Sequence, residues 1–190
     1  MRMRAILITT ALLATAAAAT VAPAAAEVEK YADPVGDTRQ IQQERGPRQA
    51  ADVVRTRVEH ARTTVEVRLE LVDLGGSVYT ELRLRTSDRS DYLVRMYRNG
   101  RGEPKTLELV GGTGEVACPG LVGAFRDEED VTRISIPRPC LGGPRWVRTG
   151  ASAAASDEGF GRVFADDSRL DGDVRDDYRP VLGTERLARD

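Results

Sequence analysis

Through the middle of the chain, apolar and charged side chains alternate with a period of two. Val54, Thr56 and Val58 fall on one side, with Arg55, Arg57 and Glu59 on the other. After a short connection near His60-Ala61-Arg62, Val65, Val67, Leu69 and Leu71 alternate with Glu66, Arg68 and Glu70. Val78, Thr80, Leu82 and Leu84 then alternate with Tyr79, Glu81, Arg83 and Arg85. A helix would scatter these apolar groups around its circumference, whereas a strand sets them on one face. Sheets with one apolar and one charged face are characteristically antiparallel.

The turn signals agree. Asn99-Gly100 separates Tyr92–Tyr97 from Thr106–Val110, as in a hairpin with an extended loop. Asp127-Glu128-Glu129-Asp130 separates Leu121–Phe125 from Val131–Ile136, and Gly75-Gly76 and Gly111-Gly112 mark further breaks. Further strands are expected over Arg145–Ala155 and Gly161–Ala165, while Gln40–Arg48, polar and closed by Gly46-Pro47, reads as loop. No stretch carries an amphipathic helix of more than two turns. The pattern predicts an all-β chain, an antiparallel, jelly-roll-like β-sandwich of about eight or nine strands.

The N-terminus follows another pattern. Met1-Arg2-Met3-Arg4 is a short positive region, Ala5 to Val21 carries no charge, and Ala22-Pro23-Ala24-Ala25-Ala26 supplies a small-x-small cleavage site before Glu27. This is the order of a secretory signal peptide. Residues 1–26 are therefore expected to be removed and the product exported. No second apolar span follows, so no membrane span is expected after cleavage. The expected organisation is a signal peptide over 1–26, a sandwich domain over 27–165 and a charged tail over 166–190, packed on the domain or partly disordered.

Export changes how the composition is read. Without Arg2 and Arg4 the chain has 26 basic against 30 acidic side chains, and the arginines alternate with acids along the sequence. Nucleic acids and anionic membranes are recognised by clustered basic surface, so neither is an expected partner. In an oxidising compartment the only two cysteines, Cys118 and Cys140, are expected to form a disulfide. Closing that loop would stabilise the fold by roughly 3 kcal/mol.

The available chemistry is narrow. His60 is the only histidine, which excludes sites needing two imidazoles, and it reads as an exposed strand-end residue. There is no G-x-S-x-G nucleophile elbow, and no phosphate or dinucleotide loop. Carboxylates remain. Asp33-Pro34-Val35-Gly36-Asp37 lies near the mature N-terminus, and Asp166-Asp167 with Asp171-Gly172-Asp173 near the C-terminus. Calcium takes six to eight hard oxygens, often aspartate side chains and carbonyls in a Gly-containing loop. If the sandwich brings its termini together, Asp33, Asp37, Asp166, Asp167, Asp171 and Asp173 are the candidate ligands. The alternative is a set of solvated turns, where Asp and Gly are simply favoured. A hydrolase working with two carboxylates alone is the enzymatic alternative. For glycan recognition by aromatic stacking, Tyr79 on a charged outer face is the candidate, since Tyr92 and Tyr97 differ in parity.

Several of these segments carry a resemblance. Asp33-x-x-Gly36-Asp37, Ala51-Asp52-Val53-Val54, Val72-Asp73-Leu74, Pro137-x-x-Cys140-Leu141-Gly142, Trp146-Val147-Arg148 and Ala165-Asp166-Asp167 together resemble secreted β-sandwich proteins of high-GC Gram-positive bacteria. Those are similar in general shape to family 9 carbohydrate-binding modules and DOMON-type sandwiches. The resemblance implies a sandwich fold and sugar or haem ligands, but this chain lacks an aromatic clamp and a Met/His pair for haem. The expected function is an exported, non-enzymatic binding or surface-associated module, with calcium as the one cofactor the sequence offers. Its ligand would be an extracellular glycan or protein.

Overall fold

A computed structural model of the chain describes residues 26–41, 48–156, 163–172, 174–175 and 179–189. Residues 1–25 of the signal segment, Asp173 and Tyr178 lie outside them. The strands are β1 (Glu27–Ala32), β2 (Arg39–Gln40), β3 (Val53–His60), β4 (Thr64–Leu71), β5 (Ser77–Thr86), β6 (Asp91–Arg98) and β7 (Thr106–Gly111). They continue as β8 (Gly114–Glu115), β9 (Val122–Arg126), β10 (Val131–Pro137), β11 (Trp146–Ser156), β12 (Val163–Asp167) and β13 (Leu187–Ala188). The pairs are antiparallel throughout, as expected for strands with one apolar face. Among the described residues no helix is long and apolar enough to cross a membrane.

The strands form two sheets. One has the order β1-β3-β4-β10-β9, the other β2-β12-β11-β5-β6-β7-β8, with β13 also pairing β11. Their inner faces make one core, in which Val58, Val67, Leu69 and Ile134 of the first sheet join Leu82, Leu84, Val94 and Val147 of the second. The alternation over β4 holds residue for residue, and that over β5 holds except at Glu81, which is buried on the outer face.

In β3 it breaks at one place. Val53 pairs Leu71 and Arg55 pairs Glu70, which leaves Val54 as the extra residue of a bulge. Val53 takes the core position expected for Val54, and Thr56, Val58 and His60 follow on the same inner face. His60 is therefore a buried residue and not an exposed strand end. Its Nδ1 lies 2.9 Å from Leu187 O, and its Nε2 accepts from Arg138 Nε at 3.0 Å. Burial depresses the imidazole pKa, and the bond to Arg138 requires the neutral ring.

Cys118 and Cys140 are joined in a disulfide with a Cα–Cα separation of 5.3 Å. The expected domain limit at Ala165 falls inside β12, so Asp166 and Asp167 belong to the sandwich. The described part of the tail packs on it as well. Gly183 N donates to Thr149 O, and a side chain at Gly150 would meet Val181 O at 2.0 Å, so this strap requires a glycine on β11.

Candidate functional site

The two acidic segments meet where the sheets are joined. Asp33 follows β1, and its N–H donates to Val54 O at the bulge. The chain then turns through Val35 and Gly36, where a φ of +89° favours glycine. Gly36 N donates to Asp52 Oδ2 at 2.8 Å, and this brings Asp37 back towards the sheet. Asp52 precedes Val53, the neighbour of the bulge residue Val54, and the Val53 N–H donates to Asp166 Oδ2 of β12 at 2.8 Å. Asp37 Oδ2 accepts from Gly172 N at 2.8 Å, tying in the turn after β12. Bulges re-aim the groups around them, and here the Val53 N–H beside the bulge holds Asp166.

The outcome is a trio of carboxylates. Ligand oxygens of Asp33, Asp37 and Asp166 all lie within 4.8 Å of one another. Asp33 is 8% exposed and Asp166 1%. Asp33 Oδ2, Asp37 Oδ1 and Asp166 Oδ1 are buried and find no donor among the described residues. Burial, reinforced by the Asp37 charge, pushes the Asp33 carboxyl up to about 7. Burial likewise pushes Asp166 up to about 8; Asp33, Asp37 and Asp52 add to the rise, and the Val53 N–H opposes it. Such groups titrate as a unit. Asp33 and Asp166, this close and this dry, keep their charge only beside a cation, or lose it by sharing protons.

Of the other predicted aspartates, Asp173 lies outside the described residues, and Asp167 and Asp171 are not brought into this trio. Asp167, next along β12, points to the opposite face, and its oxygens accept from Val181 N at 2.8 Å and Arg169 N at 3.1 Å. Burial pushes it up to about 6. Alternation along a strand accounts for the split, since neighbours in β12 cannot face the same way. Asp171 is exposed and shares the rim of an open depression with Tyr31, Asp33 and Arg169. Arg169 is committed there, with Nη2 2.8 Å from Glu29 Oε1 and its guanidinium 3.8 Å over the Tyr31 ring. The acidic-loop pattern does not single out Asp52, although it lies at the same joint.

Tyr79 is half-buried rather than fully exposed. Its hydroxyl donates to Glu81 Oε2 at 2.8 Å, and it lies directly opposite Tyr97 across β5 and β6. It flanks a trough of about 170 Å³ on the outer face of the second sheet, with Ala154, Ala165 and Asp167 also in the lining. The chain matches no protein-family model, and no curated protein or solved structure matches it.

Proposed function

We propose that this protein is an exported, non-enzymatic β-sandwich binding module whose N-terminal loop and C-terminal segment are locked to the sheets by a calcium ion. The observation that carries the cation is the convergence of Asp33, Asp37 and Asp166, each presenting a buried oxygen that finds no donor among the described residues. Two ligands of one calcium ion, each at 2.3–2.6 Å, stand at most about 5 Å apart. The separations in this trio fall within that limit. Carbonyls and water would complete the shell, because calcium tolerates irregular and mixed oxygen donors. Export follows from the order of segments in residues 1–26, and calcium is then available at extracellular concentration, which suits even a weak site.

A carboxylate-only hydrolase is a poorer reading of the same residues. Glycosidase carboxyls stand about 5 Å apart or more, with the glycosidic bond between them. This trio is tighter, and Asp166 is buried beneath it. The test is thermal unfolding of the mature chain in 2 mM calcium and in excess chelator. At roughly 100 times Kd, binding contributes about 2.7 kcal/mol, or roughly 5–10 °C in a domain of this size. Identical midpoints in the two buffers would sink the proposal, and a titration of terbium luminescence would report the site directly.

A further inference from the structure

The outer face of the five-stranded sheet carries a pattern invisible along the chain. Lys30 pairs Arg57, Arg57 pairs Arg68, and Arg68 pairs Arg133, so one row across four consecutive strands holds four cations and no acid. The row ends at Ala124 on β9. On one side runs the row Val28, Glu59, Glu66, Ser135 and Val122; on the other, Ala32, Arg55, Glu70, Val131 and Arg126. Like charges directly opposite in a sheet destabilise it. The fold relieves this with glutamates next along the chain and leaves the row in place. Arg57 pairs Glu59 at 2.7 Å, Arg68 pairs Glu70, and Arg133 pairs Glu129 at 2.6 Å. These guanidiniums remain between a third and half exposed, and with Arg126 they line a depression of about 330 Å³.

We propose that this face docks an anionic glycan whose acidic groups seat on the Lys30–Arg57–Arg68–Arg133 row. Strands lie about 4.8 Å apart, so the three arginines span roughly 10 Å in a straight line. Guanidinium forks match carboxylate, sulfate and phosphate oxygens in bidentate fashion. The row is bordered by Glu59 and Glu66 on one side and, on the other, by Glu70 with Arg55 and Arg126 in the same row. A duplex or a lipid surface, charged over a broad area, would meet those glutamates as well as the arginines. A narrow chain with sparse acids and many hydroxyls uses both, because the glutamates accept from its hydroxyls. Single-stranded nucleic acid is held by stacking on aromatic rings. The described residues of this face include none.

The inference supplies a ligand class for the binding module and does not depend on the cation site. The experiment uses the mature chain in saturating calcium and measures its affinity for fluorescent carboxymethyl-dextran, dextran sulfate, neutral dextran and a twenty-nucleotide oligothymidylate. The expected result is binding of at least one charged dextran, with none of the neutral polymer. Replacing Arg57, Arg68 and Arg133 together by Gln should weaken it at least tenfold. Replacing Arg83, Arg85 and Arg95 by Gln changes net charge equally on the other sheet, and should change affinity less than threefold, as should Tyr79→Ala. Circular dichroism and the melting midpoint check that each variant is folded. No binding to either charged dextran, equal losses in the two triple variants, or oligothymidylate bound as tightly as the glycan would each overturn the proposal. Calcium-dependent melting without glycan binding would leave the cation reading standing and remove only this one.

Discussion

The acidic joint and the basic row are opposite uses of charge on one scaffold. At the joint, Asp33 and Asp166 are withdrawn from water, Asp37 is half-buried, and the three crowd one another with buried oxygens that find no donor among the described residues. On the row, Lys30, Arg57, Arg68 and Arg133 also crowd one another, but the arginines stay partly in water and lean on glutamates of their own strands or, for Arg133, of the turn before β10. Solvent decides the consequence. A buried charge is worth several kcal/mol either way, according to whether it is matched, whereas an exposed one contributes about 1 kcal/mol or less. The joint therefore bears on whether the protein folds, and the row bears on what it meets.

The largest expected effect breaks the joint. Asp166→Ala removes a ligand and also strands the buried Val53 N–H that Asp166 Oδ2 accepts. In calcium it should cost about 4 kcal/mol, lowering the midpoint by roughly 10 °C. A loss below 1 kcal/mol would mean that the joint is not a structural centre. The pH dependence follows in size. Asp33 and Asp166 have folded-state pKa values raised to about 7 and about 8 from 3.8. A raised carboxyl pKa means that the folded state binds the proton more tightly. The resulting stability is fully present below about pH 4 and is lost as pH rises through 7 and 8. In chelator, stability should fall by a few kcal/mol between pH 5 and pH 9, and calcium should cancel the fall by replacing the protons. A flat profile in chelator would contradict the burial described for the trio. Asp166→Asn sharpens the comparison further, because it keeps an acceptor for Val53 N–H while deleting one of the crowded charges. At pH 8 it should stabilise the chelated protein by about 1–2 kcal/mol and destabilise the calcium-loaded one, a reversal of sign that urea unfolding in the two buffers would read.

What could be read from the sequence divides along the same line. Asp33 and Asp37 were legible because a five-residue loop holds them with Pro34 and Gly36, whose turn chemistry is local. The choice of Asp166 over Asp167 is a parity question that alternation along β12 decides. His60 has the parity of Thr56 and Val58, so the β3 pattern already carried its burial, masked by the charged residues after it. The bulge at Val54 was not legible. The Val53 N–H beside it bonds Asp166, more than a hundred positions away, and local propensity holds no trace of that contact. Nor was the basic row, because every cation in it is separated along the chain by acids or apolar groups. Only the order β1-β3-β4-β10 with its register lines them up. Clustering along a sequence and clustering on a sheet are different quantities, and the absence of the first said nothing about the second.

The smallest effect tests the other half of the comparison. Replacing Arg57, Arg68 and Arg133 by Gln breaks four partly exposed ion pairs, each worth about 0–1 kcal/mol, and relieves the repulsion between cations that face each other across the strands. The two contributions oppose each other, so the melting midpoint should move by no more than about 2–3 °C in either direction. The calcium-dependent shift should be the same as in the parent chain, because the row lies on the outer face and the joint is buried where the sheets meet. Raising sodium chloride from 0.05 to 0.5 M should shrink even this small difference, since screening acts on exposed charges. A loss of 3 kcal/mol or more would show that the row is part of the scaffold. Its register would then be explained by folding, with no ligand required.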